Sequence, residues 1–522
     1  MESHSLHFDA AIQSPYMRYL FTVLQLLSSF FVLAQSKYDY YWTLGYDEST
    51  IEPGGDVILI DFNAIPVAVQ TLKTVERFDA GSSTSSMSDA EGNLIFYTNG
   101  CYVVNAIHEK MMNGDSINPG IQQQFCCPFG GSCNFGGAIA IPWPDSPHMY
   151  LLFINDYIDD VFPNDPVISG APRHLYYNTI DMQKDAGLGA VTLKNQVAID
   201  DTLATNSVEA CRHSNGRDWW VMIPKSRTNC YFLVLVTPEG VGTPKLTCTG
   251  IPYNKFEDSG QSCFSPDGKK FVRFNRDNGV HIYDFDNTAG ELSNETWFKI
   301  NDLGSYVVGA AISPNSRYLY ISGFDKLLQY DLNAADIEAS RLLLAVPDNV
   351  PDPFVPSVFA LSALAPDGKI YIASVSSHTS LHVIHRPDCH GLYSLPERRG
   401  LSLTSWNYST IPNMPHFRNE PSTYPCDSFV VHTYTPIDGR EAVVVFPNPA
   451  TDQVNIYLNH PLPNASWWVL HDQLGREIKR VPLDPDEMEL SVSLEDYPPG
   501  ILYFSVMSDT RLIQRGKLIL LR

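Results

Sequence analysis

Three groups of side chains have the types that chemistry needs. The first is the histidine set His378, His382, His385 and His390. Histidines four apart on a helix can share a zinc ion. Here, however, Leu381-His-Val-Ile-His385 reads as a strand, which points His382 and His385 to opposite faces. Exposed histidines on a strand, without a metal, are the expectation. The second group is the loop Cys126-Cys-Pro-Phe-Gly-Gly-Ser-Cys133. Its three thiols could hold a metal with one more ligand, or pin the loop as disulfides. Disulfides are expected, with Cys126 and Cys127 pairing separately and one of them reaching Cys133. Cys389 and Cys426 are placed to staple a closing region. The third group is carboxylates: Asp156-Tyr-Ile-Asp159-Asp160, Asp200-Asp201 and Asp284-x-Asp286-Asn287. Calcium takes such oxygen ligands, but no EF-hand spacing is present. A solvated acidic rim is expected, and no cofactor. Trp219-Trp220 could stack on a sugar, although packing inside a strand is the commoner use.

Other reactions leave no trace in the sequence. There is no Gly-x-Ser-x-Gly elbow, no His-Glu-x-x-His, no P-loop and no dinucleotide fingerprint. A pair of carboxylates for glycoside hydrolysis is defined by its separation, which sequence does not supply.

The elements that would position these groups form a repeat. Short turns precede β-like runs at Ser88-Asp-Ala-Glu-Gly92, Pro144-Asp-Ser-Pro147, His213-Ser-Asn-Gly216, Ser265-Pro-Asp-Gly268, Ser313-Pro-Asn-Ser316 and Ala365-Pro-Asp-Gly368. Their Asp or Asn residues stand at 89, 145, 215, 267, 315 and 367, with gaps of 56, 70, 52, 48 and 52. Within one unit, Pro266 presets the turn and Gly268 supplies the positive φ. Phe271, Val272 and Phe274 then form a strand, Asp277-Asn-Gly279 a hairpin, and Val280–Phe285 the return. A unit of this size matches a four-stranded propeller blade, and blades must stack in a ring to bury their faces. Six copies are visible. A seventh blade is expected to close from residues near 37–62 and 400–435.

Composition agrees with an all-β fold. Of 522 residues, 12% are aromatic, and Gly and Pro number 33 and 37, which suits many strands and tight turns. With 44% hydrophobic and only 18% charged residues, disorder and a long coiled coil are excluded. A net charge of −23 repels phosphate backbones, so nucleic acid is not an expected partner.

Both ends read as addresses. Met17-Arg18 is followed by about 15 mostly apolar residues ending at Ala34, the pattern of a secretory signal peptide. Met17 is read as the start, with cleavage between Ala34 and Gln35. The apolar run is short for a bilayer crossing and no other exists, so the mature chain is expected to lack a transmembrane segment. Near residue 440 the repeat gives way to strand-turn-strand patterns. They contain Pro447-Asn448-Pro449-Ala-x-Asp452, Asp472-x-x-Gly475-Arg476-Glu, Pro-Gly500-x-x-Tyr503-Phe and Lys517-Leu-Ile-Leu. This is a small β-sandwich of about 80 residues.

Two resemblances follow from these residues. Ser88–Gly100, Met112–Asp115, Gly216–Val221 and Leu381–Asp388 resemble a family of secreted propellers common in exported proteins of the Bacteroidota, of the WD40-like or YncE-like kind. The C-terminal boxes look like the sorting domain of type IX secretion. That resemblance implies recognition by the outer-membrane translocon, often with later removal of the domain and attachment of the cargo to surface lipopolysaccharide. His471 stands where that family often has Tyr or Phe.

The sequence thus predicts a signal region over 1–34, a propeller of about seven blades over 35–435, and an Ig-like sorting sandwich over 441–522. The expected product is secreted through the periplasm to the medium or the outer cell surface. Its expected role is to bind an extracellular glycan or protein, and the enzyme question stays open. The alternative is a hydrolase or lyase acting on polysaccharide or peptide in the propeller channel.

Overall fold

A computed structural model describes residues 36–46, 57–72, 78–80, 83–129, 131–132, 134, 136–158, 161, 170–205, 208–253, 260–304, 307–347, 351–352, 355–418, 426, 443–446, 448–458, 462, 466–484, 489–508 and 511–521. Seven antiparallel sheets follow one another along the chain before residue 409. Blade 1 contains Tyr41–Leu44, Val57–Asp61 and Ala68–Leu72; blade 2 contains Ser85–Ser88, Leu94–Thr98 and Val103–Asn105. Blade 3 runs from Ala138–Pro142 through Met149–Asn155 and His174–Asp181 to Ala190–Asp200. Blade 4 holds Glu209–Arg212, Trp219–Pro224 and Cys230–Thr237, the last pairing with both Gly240–Val241 and Lys245–Cys248. Blade 5 holds Gln261–Phe264, Lys270–Asn275, Gly279–Asp286 and Glu291–Phe298. Blade 6 holds Gly309–Ile312, Tyr318–Ser322, Leu327–Asp331 and Leu342–Ala345. Blade 7 holds Ser362–Leu364, Ile370–Ile372, Ser377–Ile384 and Pro396–Tyr408.

All six turn motifs join the first and second strands of blades 2 to 7. The Asx chemistry recurs. Asp89, Asn215, Asp267, Asn315 and Asp367 each accept the N–H two residues on, at 3.0 to 3.1 Å. That bond sets the reversal before the second strand begins.

Strand alternation then builds the ring, because successive side chains face opposite neighbours. Trp219, Val221 and Ile223 pack on blade 3, while Trp220 and Met222 pack on blade 5. Ala310 and Ile312 pack on blade 5, while Ala311 packs on blade 7. One buried cluster fills each interface between consecutive blades. A seventh joins blade 7 to blade 1 through Trp42, Leu44, Ile58, Leu361, Tyr371 and Leu381. Seven blades with seven interfaces make a closed propeller.

The closure differs from the expectation. Residues 37–62 and 400–408 lie in separate sheets, so no blade mixes strands from the two ends. The first strand of blade 1 also runs opposite to that of blade 2. Ser88 N–H donates to Tyr38 O, Ser86 Oγ to Tyr41 O, and Thr84 Oγ1 to Thr43 O.

Residues 410–418 thread the centre of the ring instead. Thr410 Oγ1 donates to Ala80 O, and Asn413 N–H to Thr84 O. Asn413 Nδ2 donates to Gly136 O and Val208 O, beside the starts of the first strands of blades 3 and 4. Arg418 reaches Asp39 at the opposite end, where the first strand of blade 1 begins. Pro412 and Pro415 explain why this stretch pairs in no sheet, since proline offers no N–H to a ladder.

The C-terminal unit is an Ig-like sandwich. One sheet orders Val443–Phe446, Gln453–Leu458 and Glu489–Ser493. The other orders Glu477–Leu483, Ser466–His471, Gly500–Ser508 and Arg511–Leu520. Val454, Ile456, Trp468, Leu470, Phe504 and Leu518 form its core.

Disulfides join Cys101 to Cys127, Cys230 to Cys248, and Cys389 to Cys426. Cys230 and Cys248 sit directly opposite each other in adjacent strands of blade 4. Cys126 is also in a disulfide, while Cys133 lies outside the described residues. Among the described residues, no helix is long and apolar enough to cross a membrane.

Candidate functional site

A cavity of about 340 Å³ opens where the threaded segment meets blades 4 and 5. Its walls come from the end of Glu209–Arg212 with its following turn, from Phe264 to Lys269, from Asn287, and from His416 to Arg418. The turns are fixed frames. Ser265 Oγ accepts the Lys269 and Lys270 N–H groups and donates to Asp267 Oδ1 at 2.6 Å. Gly268 takes φ +66°, and a Cβ there would meet Cys211 Sγ at 2.9 Å and Asn287 Nδ2 at 3.0 Å. Only glycine fits this wall without displacing its neighbours.

Arg212 dominates the cavity's chemistry. Its Nη1 donates to Gly216 O at 2.7 Å, and its guanidinium lies 4.5 Å from the Trp219 ring centroid. Burial holds its basicity below the ordinary arginine value. Across the cavity, Arg418 forms a two-pronged pair with Asp39, which is 5% exposed. Burial works against the Arg418 charge, and Asp39 more than restores it. His416 bonds to the Phe264 backbone, and burial pushes its pKa down to about 4.

The remaining reactive groups are committed. Burial pushes the Cys211 thiol up, and it donates to Arg212 O at 3.5 Å, so it lacks thiolate character. His213 Nδ1 accepts the Asn215 N–H, and its Nε2 contacts Thr288 O, both at 3.1 Å. The arrangement can hold a polar ligand on fixed donors. It does not pair a nucleophile with a base.

The residues singled out by sequence fall elsewhere. His378 and His382 are 1% and 2% exposed, which corrects the expectation of exposed histidines. Their strand is third of four and is covered on both faces by blades 6 and 1. His378 Nε2 bonds to Val375 O and His382 Nε2 to Val358 O, while the buried His378 Nδ1 has no partner among the described residues. His385 pairs with Glu397 at 2.5 Å. Among the described residues no group of three His, Cys, Asp or Glu is placed to hold a metal. Asp156 is buried, not part of a solvated rim: it accepts the Arg173 and His174 N–H groups and contacts His174 Nδ1 at 2.7 Å. Those donors offset its desolvation. Asp200, Asp201 and Asp284 are paired with Arg173, Lys225 and Lys270. Trp219 and Trp220 are both buried between blades.

Arg212, His416 and Arg418 escaped the sequence reading. Arg212 carries a signal: it directly precedes its turn motif, where the other copies have Met87, Trp143, Phe264, Ile312 and Leu364. A charge interrupts an otherwise apolar repeat position.

The C-terminal motif residues form turns and strand ends. Asn448 Nδ2 donates to Lys517 O, and its Oδ1 accepts the Ile519 N–H. Asp452 O accepts the Leu494 N–H. Asp472 accepts the Leu474 and Arg476 N–H groups and pairs with Arg476 Nε at 2.7 Å. Gly475 takes φ +77° and Gly500 φ +150°. Tyr503 lies in register between His471 and Lys517. Pro447, and the signal residues Met17, Ala34 and Gln35, lie outside the described residues.

Residues 444–520 match the family model described as a secretion system C-terminal sorting domain. The chain carries a type IX sorting domain. That domain engages the type IX secretion machinery and directs the propeller to the cell surface or the extracellular space. No curated protein matches this chain. Among solved structures, one similar chain is PorZ of Porphyromonas gingivalis, described as an essential bacterial surface component of the type IX secretion system. It is 10% identical with a TM-score of 0.35, covering 90% of this chain and 63% of its own. This protein therefore spans less than two thirds of the PorZ length. A candidate 6-phosphogluconolactonase from Bacteroides fragilis is 12% identical with a TM-score of 0.39, covering 72% and 97% of the two chains. The Cps50 propeller domain of Myceliophteria thermophila is 10% identical with a TM-score of 0.34, covering 62% and 87%. None of these likenesses carries an activity to this chain.

Proposed function

We propose that this secreted propeller is a binding protein, and that its ligand seats in the cavity between blades 4 and 5. The reading divides the chain into a binding ring over 35–435 and an export module over 441–522. The observation that carries it is the pairing of a filled channel with an open polar cavity. A substrate acting in the channel would have to displace residues 410–418, which bond to blades 2, 3 and 4 and end in the Arg418–Asp39 pair. The cavity, by contrast, is framed by rigid turns and lined by groups already fixed in place, which lowers the ordering cost of binding.

The test is a thermal-shift screen of the secreted protein against oligosaccharides and peptides, repeated with Ser214→Trp. Ser214 is exposed at the cavity edge, so the indole fills the space without entering the core. A ligand that raises the melting temperature of the parent and not of the variant supports the reading. Equal shifts in both proteins move the ligand elsewhere, and turnover of any screened compound replaces binding with catalysis.

A further inference from the structure

Arg212 is held on three sides. Trp219 stacks on its plane, Gly216 O takes Nη1, and Asn287 Nδ2 fixes its own carbonyl at 3.3 Å. Among the described residues no carboxylate pairs with it, and Nε and Nη2 have no protein acceptor. Other arginines differ: Arg317 is matched to Asp331, Arg418 to Asp39, and Arg341 to Asp302. A half-buried guanidinium is costly without a counter-charge. Arg212 lines the cavity, and its two free donors are rigidly spaced on one edge of the guanidinium plane.

The charge around it points the same way. Arg212, Lys269, Arg418 and Asp267 line the cavity. Asp39 neutralises Arg418, and Asp267 Oδ1 is engaged by Ser265 Oγ and the Lys269 N–H. Two cations then face one carboxylate, in a chain whose net charge is −23. A locally positive cavity in an acidic protein concentrates anions there.

We propose that this cavity binds an oxyanion of its ligand, a carboxylate or a phosphate, on the Nε and Nη2 donors of Arg212, with Lys269 as the second cation. The proposal rests on the cavity being the ligand site. Planar guanidinium donors match the two oxygens of such a group, and charge-assisted bonds of this kind are strong.

Calorimetric titration of the full secreted protein tests it with three probes: galacturonate, inorganic phosphate and neutral galactose. Galacturonate or phosphate should bind about tenfold or more tightly than galactose. Which anion prevails separates a carboxylate source from a phosphate source. Arg212→Gln should weaken the preferred anion about tenfold or more. Lys269→Gln, at an exposed side chain, should weaken it less and reduce its dependence on salt. Unchanged anion binding in both variants overturns the proposal, as does galactose binding equal to galacturonate. Failure of all three probes to bind also overturns it. Binding of a neutral compound that Ser214→Trp abolishes leaves the cavity as the ligand site and removes only the oxyanion. Binding of every probe unaffected by Ser214→Trp removes the cavity itself.

Discussion

Asp267 in the ring and Asp472 in the sandwich play the same local part. Asp267 Oδ1 accepts the Lys269 N–H at 3.1 Å, and Asp472 Oδ1 accepts the Leu474 and Arg476 N–H groups at 2.9 Å each. Each turn carries a glycine at positive φ, +66° at Gly268 and +77° at Gly475. Yet one turn belongs to a motif found six times along the ring, and the other to a module with a single address. Repetition in the ring spreads turn chemistry over every blade, so the turn itself selects no ligand. What can select one is a departure from the repeat: Arg212 where other copies are apolar, and the threaded residues 410–418. In the sandwich the motif is unrepeated and lies within the residues, 444–520, that match the sorting-domain family.

The largest test of this contrast removes the sandwich. A chain lacking 441–522 should accumulate in the periplasm as a protease-resistant ring and vanish from the medium, as read by fractionation and immunoblot. Export at the parental level would break the division of labour between ring and sandwich.

Next in size is the pair at the end of the threaded segment. Arg418→Leu leaves Asp39, 5% exposed, without its partner, which should cost about 3–5 kcal/mol in denaturant unfolding. Arg480→Leu, which breaks the exposed pair with Glu477 in the sandwich, should leave stability nearly unchanged. Similar losses in the two would erase the difference between a buried pair that anchors the threaded segment and a surface contact.

Acid should act through the same threaded segment. The pKa of His416 falls from 6.5 to about 4 on folding, chiefly by burial. Between those values the unfolded chain binds the proton and the folded chain does not. Stability therefore falls as pH drops from about 6.5 towards 4, and is regained as pH rises. The melting temperature of His416→Gln should slope less steeply over that window. An identical slope would show that the threaded segment is not what acid loosens.

Much of this architecture is legible in the sequence, and the reason is local. An Asx turn, a positive-φ glycine and an alternating strand are written within ten residues, so six blades announce themselves. Blade 1 does not, because its first strand runs the other way and residues 45–56, not a short turn motif, link its first two strands. Ring closure was misread for a related reason. Tyr41–Leu44 and Pro396–Tyr408 both look like blade strands, but Pro412 and Pro415 divert the chain into the channel before it can pair. The cavity was illegible because it joins Arg212, Lys269 and Arg418 across about 200 residues, and only tertiary packing brings them together. The buried histidines were misjudged because alternation gives two faces of a strand, not whether both are covered.

The smallest effect is also the sharpest comparison. Asp267→Ala and Asp472→Ala each remove a side-chain acceptor from one turn. Each should cost about 1 kcal/mol, the net worth of such hydrogen bonds. The two substitutions then part in what they do to the cell. Asp267→Ala leaves the sorting motif intact, so its extracellular level should follow its small loss of stability. Asp472→Ala alters the module that the secretion machinery engages, and removes the Arg476 contact at 2.7 Å as well. Its extracellular level should fall further than that of Asp267→Ala at equal stability. Equal export of the two would mean that Asp472 is only a turn residue, in the sandwich as in the ring, and that recognition lies in other parts of the motif such as Asn448 and Lys517.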